Sequence, residues 1–283
     1  MQNTLITSGL PPGETLMQDP VAGLISFVIM LYIALLFVRQ FAAESERYDA
    51  VLGMIFRATD PVISPVQNAL PSGSTHLAPA VVLAALLLLQ GILIGSIPYA
   101  AKQFAGKLLQ LYVLIIIIIS AFREYYTNPI ASFCQRIVSP VRALAAGVSQ
   151  HVPTVNLLSV VGLVLVHSMV VVVLNGLMAS EFDSPAPFLD ALIGSGEEPG
   201  SLLLILNLTQ FFTYAIIANA LLSWVSPDPL NPIVQLLTLI ALPIMEPIRR
   251  VIPPLGGAID ISPIIAILAL QFFYGIVFNL LTG

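Results

Sequence analysis

His167 is the one ionisable residue set deep inside a long apolar stretch, between Val155 and Met178. Within a membrane an imidazole can bind haem, ligate a metal ion or relay protons. A haem usually takes a second ligand, and His76 and His151 lie in connectors, near a different depth from His167. A histidine hydrogen-bonded between helices is the plainer reading, which leaves His167 as a weak cofactor candidate. The second chemical feature is basic. Arg249 and Arg250 stand side by side, and Arg136 and Arg142 recur on an earlier connector. Guanidinium groups so placed could grip a partner's acidic tail or anionic lipid phosphates, although interfacial arginines anchor membrane proteins by default. Glu246 precedes Arg249 by three residues, within reach of it on a helix. Cys134 is the sole cysteine, which excludes an internal disulfide and any cysteine-based metal cluster. No nucleophile with a matching base and no pair of catalytic carboxylates is found, and Gly256-Gly257 lacks the strand and helix of a nucleotide fingerprint. The expectation is a protein with no catalytic residues, metal or cofactor, and not an enzyme.

Composition says where these residues must sit. Hydrophobic residues make up 58% of the chain and charged residues 9%, with a mean hydropathy of +0.97. A soluble domain carries about 25% charged residues, so this chain cannot coat a water-facing surface and reads as a polytopic membrane protein. Ten basic residues against 15 acids leave no polybasic tail and no nucleic-acid surface. Residues 1–19 hold no Lys or Arg ahead of the first apolar run, unlike a secretory signal, and the Arg-rich composition of a transit peptide is missing too. A bacterial cytoplasmic membrane fits best.

A spanning helix needs about 20 mostly apolar residues. The stretches 20–41, 79–100, 108–123, 155–178, 201–224 and 263–281 qualify, with a short linker, Ala101 to Lys107, between the second and the third. Arg39, Arg47 and Arg57 follow the first span, Arg123, Arg136 and Arg142 the third, Arg249 and Arg250 the fifth. The other side carries only Lys102 and Lys107. Basic residues near span ends stay in the cytoplasm, which puts those three connectors inside. Both termini, including the N-terminal segment 1–19, and the acidic loop 179–200 are then outside.

The three connectors are versions of one another: TDPVISPVQNALP, QRIVSPVRALAAG and ALPIMEPIRRVIPP align Pro65, Pro140 and Pro247. Pro61 and Pro243 precede by four residues, where the middle copy has Arg136, and Arg142 matches Arg249. Each opens with an amphipathic helix. In the middle copy Ile130, Phe133, Cys134 and Ile137 share one helical face, and such a helix with arginines at its edge lies in the headgroup layer. In the first, Asp49, Gly53, Arg57 and Asp60 form the polar side. Each helix is expected to end before its aligned proline. The fold expected is all-α: six transmembrane helices arranged as three parallel helical hairpins with interfacial amphipathic helices.

The connector from Pro243 to Pro263 is the most sharply punctuated. Pro243, Pro247, Pro253 and Pro254 argue against one continuous helix, and Gly256 and Gly257 let the chain reverse. Asp260, Ser262 and Pro263 read as a helix start, with Ser262 as cap and Pro263 at the first helical position. PIRRVIPPLGG followed by IDISPI resembles the signature of the YggT family of small integral membrane proteins. On that resemblance residues 201–283 form the clearest repeat, 20–100 a degenerate one without the paired arginines and the Gly-Gly, and 108–178 a weaker one still. The resemblance implies a role in assembling or organising other membrane complexes. Plastid relatives are linked to haem attachment in cytochrome maturation, and bacterial relatives often accompany cell-division genes. No agreed activity comes with the name.

Two functions follow as expectations. One is a non-enzymatic scaffold or assembly factor whose partners are membrane lipids, other integral membrane proteins or further copies of itself, with no nucleic acid. The other is a small channel or carrier for an uncharged solute or a cation. Asn207, Gln210 and Tyr214 on the fifth span, and Gln271, Tyr274 and Gly275 on the sixth, could line a path or glue helices together. Ion-coupled carriers generally place a charged residue in mid-span, and none is present here. Gly91 and Gly95 form a GxxxG, a sign of close helix contact.

Overall fold

The computed structural model describes residues 20–71, 74–121, 129–178, 187–195, 198–225, 231–253 and 260–282. Among these residues every regular element is helical except one short antiparallel pairing, Gly194–Ser195 (β1) with Glu198–Pro199 (β2). The chain divides into two compact units, Met1–Leu108 with Val170–Pro185, and Leu109–Met169 with Ala186–Gly283. Among the described residues four helical stretches are long and apolar enough to cross a membrane: Ile97–Ser120, Val152–Leu177, Ser201–Ser223 and Ser262–Thr282. Two shorter apolar helices, Gly23–Arg39 and Ala78–Ile94, accompany them.

The first unit holds α1 (Pro20–Arg39), a 3-10 turn at Glu44–Tyr48, α2 (Leu52–Ala69), α3 (Ala78–Ile94) and the first turns of α4 (Ile97–Ala121). α2 is amphipathic in fact as well as in pattern. Leu52, Phe56, Thr59 and Ile63 are buried, whereas Arg57, Pro61, Ser64, Pro65 and Asn68 form an exposed stripe. Leu36 of α1, Ile63 of α2, and Ala78 and Val82 of α3 close one core. Because α2 carries a wet face, taking Phe56 and Ile63 out of water stabilises the unit by about 2 kcal/mol each.

The second unit continues α4 and holds α5 (Pro129–Ala146), most of α6 (Val152–Leu177), α7 (Pro187–Ile193), α8 (Ser201–Leu206), α9 (Leu208–Val225), α10 (Pro232–Val251) and α11 (Ser262–Thr282). α5 buries Ile130, Phe133, Cys134 and Ile137, the face expected of it, together with Val138. Within the last repeat α9, α10 and α11 pack on one another around Ile216, Ala241, Met245 and Ala266. Ile63 and Met245 each sit two residues before the aligned proline, and Val82 and Ala266 each three residues after the helix-start proline. The first and last repeats thus build their cores from matching positions.

Several expectations change. The connector helices do not stop before their prolines: α2 runs through Pro61 and Pro65, α5 through Pro140, and α10 through Pro243 and Pro247 to Val251. Each such proline forfeits one backbone bond, at about 3 kcal/mol in a dry helix interior. Here Pro61, Pro65, Pro140 and Pro247 lie on the exposed stripe, so the carbonyls they free face outward. On α5 the carbonyl freed by Pro140 belongs to Arg136, and Ser139 Oγ donates to it at 3.0 Å. Pro253 does fall beyond the helix end; Pro254, Gly256 and Gly257 lie outside the described residues.

The linker Ala101 to Lys107 is not a linker but part of α4, and α3 ends at Ile94 rather than near residue 100. The turn is made by two residues. Gly95 adopts φ 84°, a left-handed conformation that glycine takes without strain, and Ser96 Oγ accepts from Tyr99 N at 3.3 Å to start α4. A Cβ on Gly91 would stand 2.7 Å from Ile97 Cα, so the Gly91 and Gly95 pair serves a tight helix–helix turn. Gly53, expected on the polar side of α2, is buried, and a Cβ there would meet the Arg47 carbonyl at 2.6 Å. The acidic loop also carries structure of its own, α7 and the β pairing.

Candidate functional site

On the last connector the two arginines part company. Arg249 donates to Asp260 Oδ2 from Nε at 3.0 Å and from Nη2 at 2.8 Å. Asp260 Oδ1 accepts from Ser262 N at 2.9 Å. The capping acceptor of α11 is therefore Asp260, with Ser262 buried as the first helical residue and Pro263 the second, because a carboxylate two residues upstream reaches the free N–H better than the cap expected at Ser262. Partial burial opposes ionisation of Asp260, but hydrogen bonds from Ser262 and the Arg249 guanidinium outweigh it and hold its carboxyl below the usual range. Arg250 instead reaches Glu246 at 3.3 Å, one turn back, and its side chain stays 76% exposed. Glu246 thus pairs with Arg250, not with Arg249.

The first connector carries a cluster that sequence spacing did not reveal. Arg39 Nη2 donates to Glu44 Oε1 at 3.1 Å and lies 3.9 Å from Asp60 Oδ1. Arg47 bonds Asp60 Oδ2 at 2.6 Å and Glu44 at 3.2 Å. Both guanidinium groups stand over the buried Phe56 ring, at 3.7 and 5.0 Å. Burial works against the Glu44 charge, yet the hydrogen bonds and positive charges of Arg39 and Arg47 lower its pKa. The contacts cross from the end of α1 through the 3-10 turn to the second and third turns of α2, so no periodic pattern announces them. Their trace in the sequence is the density of acids, Glu44, Glu46, Asp49 and Asp60, among Arg39, Arg47 and Arg57. Asp49 Oδ1 accepts from Val51 N and Leu52 N, both at 2.9 Å, and starts α2.

The middle connector differs. Arg136 stands over Phe133 at 5.6 Å. Arg142 is half-buried, and its Nε meets no acceptor among the described residues. Cys134 is buried and its thiol is pushed up to about 11 by desolvation.

His167 is hydrogen-bonded between helices. Its Nδ1 lies 2.8 Å from Ser201 Oγ, which also lies 2.7 Å from Ser168 Oγ and donates to Ala191 O at 3.0 Å. A hydroxyl has one proton. With Ser201's given to Ala191, the imidazole Nδ1–H and the Ser168 hydroxyl must both donate to Ser201. The hub ties α6 to α7 and to the first residue of α8, so Nδ1 is already engaged. Gln210 and Tyr214 are exposed, and Asn207, itself in helical conformation, joins α8 to α9. Gln271 Nε2 donates to Thr213 Oγ1 at 3.4 Å, and Tyr274 stacks on Phe278 with centroids 5.7 Å apart. Gln271 thus joins α11 to α9, while Gln210 and Tyr214 face outward.

Helices of this length and apolarity, joined by amphipathic connectors, define a multi-pass helical membrane protein. The chain belongs to the CCB3/YggT family, whose model matches residues 18–97 and 200–281. These are the first and last repeats; residues 108–178 lie outside both matches. The chain is 32% identical over 181 residues to uncharacterized protein PA0392 of Pseudomonas aeruginosa, covering 62% of this chain and 86% of that protein. An uncharacterized protein from the proC 3' region of Vibrio alginolyticus is 26% identical over 174 residues, 59% of this chain and 87% of its own length. Uncharacterized protein YggT of Escherichia coli K12 is 38% identical over 71 residues, 25% of this chain and 37% of that protein. No solved structure matches the chain significantly.

Proposed function

We propose that the protein is a non-enzymatic organiser of a larger assembly in a bacterial cytoplasmic membrane. In this reading six spans form three parallel hairpins, the three connectors face the cytoplasm, and both termini face outward. The observation that carries it is how the polar side chains of the apolar helices are used. Gln90 donates to Ser26, Gln110 to the Leu204 carbonyl, Asn156 to Ser120 and Gln271 to Thr213, while His167 meets Ser201. Each joins one helix to another, as glue does within a membrane. What is left outward at the connectors is suited to contact: Tyr48 is 91% exposed beside Arg47, and Val251 79% beside Arg250. A guanidinium next to an outward apolar side chain fits docking onto another membrane protein.

Extraction in mild detergent tests this, with the native protein expected to migrate with a partner or as an oligomer. Replacing Arg249 and Arg250 with Gln together should weaken the association while leaving insertion intact, since eight other basic residues remain. Arg250→Gln alone should carry most of the effect. A lone monomer in every mild detergent, or saturable solute flux in proteoliposomes, sinks the scaffold and favours a channel or carrier.

A further inference from the structure

We propose that the outward seam of α9 is a self-association surface, on which a second copy of this chain docks through Gln210 and Tyr214. The inference deepens the reading above by naming the partner and the face, and it rests on Ser201–Ser223 spanning the membrane. Gln210 and Tyr214 each lie two residues from Phe212, the midpoint of that stretch, or about 3 Å along the axis. Both side chains are nonetheless exposed, Tyr214 by 69%, and neither has a hydrogen-bond partner among the described residues. Hydrocarbon offers an amide or a phenol nothing to bond, so leaving them bare at that depth is costly. Gln90, Gln110, Asn156 and Gln271, by contrast, each bond a second helix of the same chain. The outward face of α6 at Leu157, Val161 and Leu165 is wholly apolar and suits acyl chains.

Gln210, Tyr214, Ile217 and Leu221 are all exposed and follow one another at intervals of four, three and four residues. That spacing is the seam by which two helices pack at a crossing angle of about 20°. Two copies inserted in the same sense run their α9 helices parallel about a twofold axis along the membrane normal, so each seam residue meets its own image. Such a contact must be self-complementary. A glutamine amide carries both donors and an acceptor, and a tyrosine hydroxyl both donates and accepts, so each satisfies a copy of itself. Ile217 and Leu221 continue the contact as apolar packing towards the end of α9.

Single cysteines introduced into the full chain, expressed in bacterial membranes and oxidised there with copper phenanthroline, test this. The parent chain, whose Cys134 is buried, serves as the blank. Ile217→Cys and Leu221→Cys should each give a disulfide-linked dimer, and Leu165→Cys, on the outward face of α6, should not. Adding Gln210→Leu should cut the dimer yield about fivefold, the loss expected when a reciprocal pair of interhelical hydrogen bonds goes. That change sets an apolar side chain against lipid, away from the faces that α9 packs on α10 and α11, so folding is not at stake. Tyr214→Phe should act in the same direction. No dimer from either seam cysteine, an equal yield from Leu165→Cys, or an undiminished yield with Gln210→Leu overturns the proposal. Chains that give no dimer yet migrate with another protein from native membranes remove the second copy and keep the assembly reading. A dimer from the seam cysteines together with saturable solute flux does the reverse.

Discussion

Arg249 places two donors on a single oxygen of Asp260, at 3.0 and 2.8 Å, and leaves the other oxygen to accept from Ser262 N at 2.9 Å. One carboxylate thereby ties the end of α10 to the start of α11. The paired arginines of the connector motif are unequal: Arg249 works inside the fold, and Arg250 is the outward one.

Asp260→Asn and Asp260→Ala separate the two duties of that carboxylate. Asn keeps a cap acceptor and loses the charge, and the ion pair is exposed enough to contribute at most about 1 kcal/mol. Ala loses both, and should cost about 1 kcal/mol more in thermal unfolding. The folded-state pKa of Asp260 is lowered, so its contribution is present above its ordinary value of 3.8 and disappears as pH falls through the lower folded value. Unfolding midpoints measured down that range should converge for wild type and Asp260→Asn.

Cys134 should resist alkylation. Burial raises its thiol from 9.0 to about 11, so thiolate is scarce at neutral pH. The sign makes the folded protein hold its proton longer than the unfolded chain, and stability should fall as pH rises from 9.0 towards 11. Maleimide labelling of native protein near pH 7 should be slow and should accelerate on unfolding; rapid native labelling would contradict the burial.

Two glycines on apolar helices should answer to alanine with opposite signs. Gly91→Ala drives a Cβ to 2.7 Å from Ile97 Cα, backbone that can yield only by opening the two-residue turn. Overpacking of this kind costs about 1–3 kcal/mol. Gly162→Ala meets nothing within 4 Å in the middle of α6 and should stabilise by about 0.5–1 kcal/mol through lower chain entropy. Thermal unfolding of the two variants in one detergent gives the comparison.

Reporter fusions test the orientation. Fusions near Ser72, Gly147 and Gly256 should behave as cytoplasmic, and a fusion near Gly196 as extracytoplasmic. A cytoplasmic reading at Gly196 would overturn the parallel-hairpin topology.

The sequence by itself determined that this is a helical membrane protein, where most of its apolar helices lie, and that its connectors are amphipathic. Those facts follow from composition and from periodicities of a few residues. It also located the arginines of the motif and the buried face of α5. Tertiary structure alone decided what the polar groups do. Asp260 caps and pairs at once because α10 and α11 meet there, and Arg39 and Arg47 share Asp60 because α2 folds back under α1. Ser201 becomes a hub because α8 begins level with His167. The prolines misled for the same reason. A missing N–H breaks a helix only where its orphaned carbonyl has nowhere to turn, and which face of α2, α5 or α10 looks outward is settled by packing.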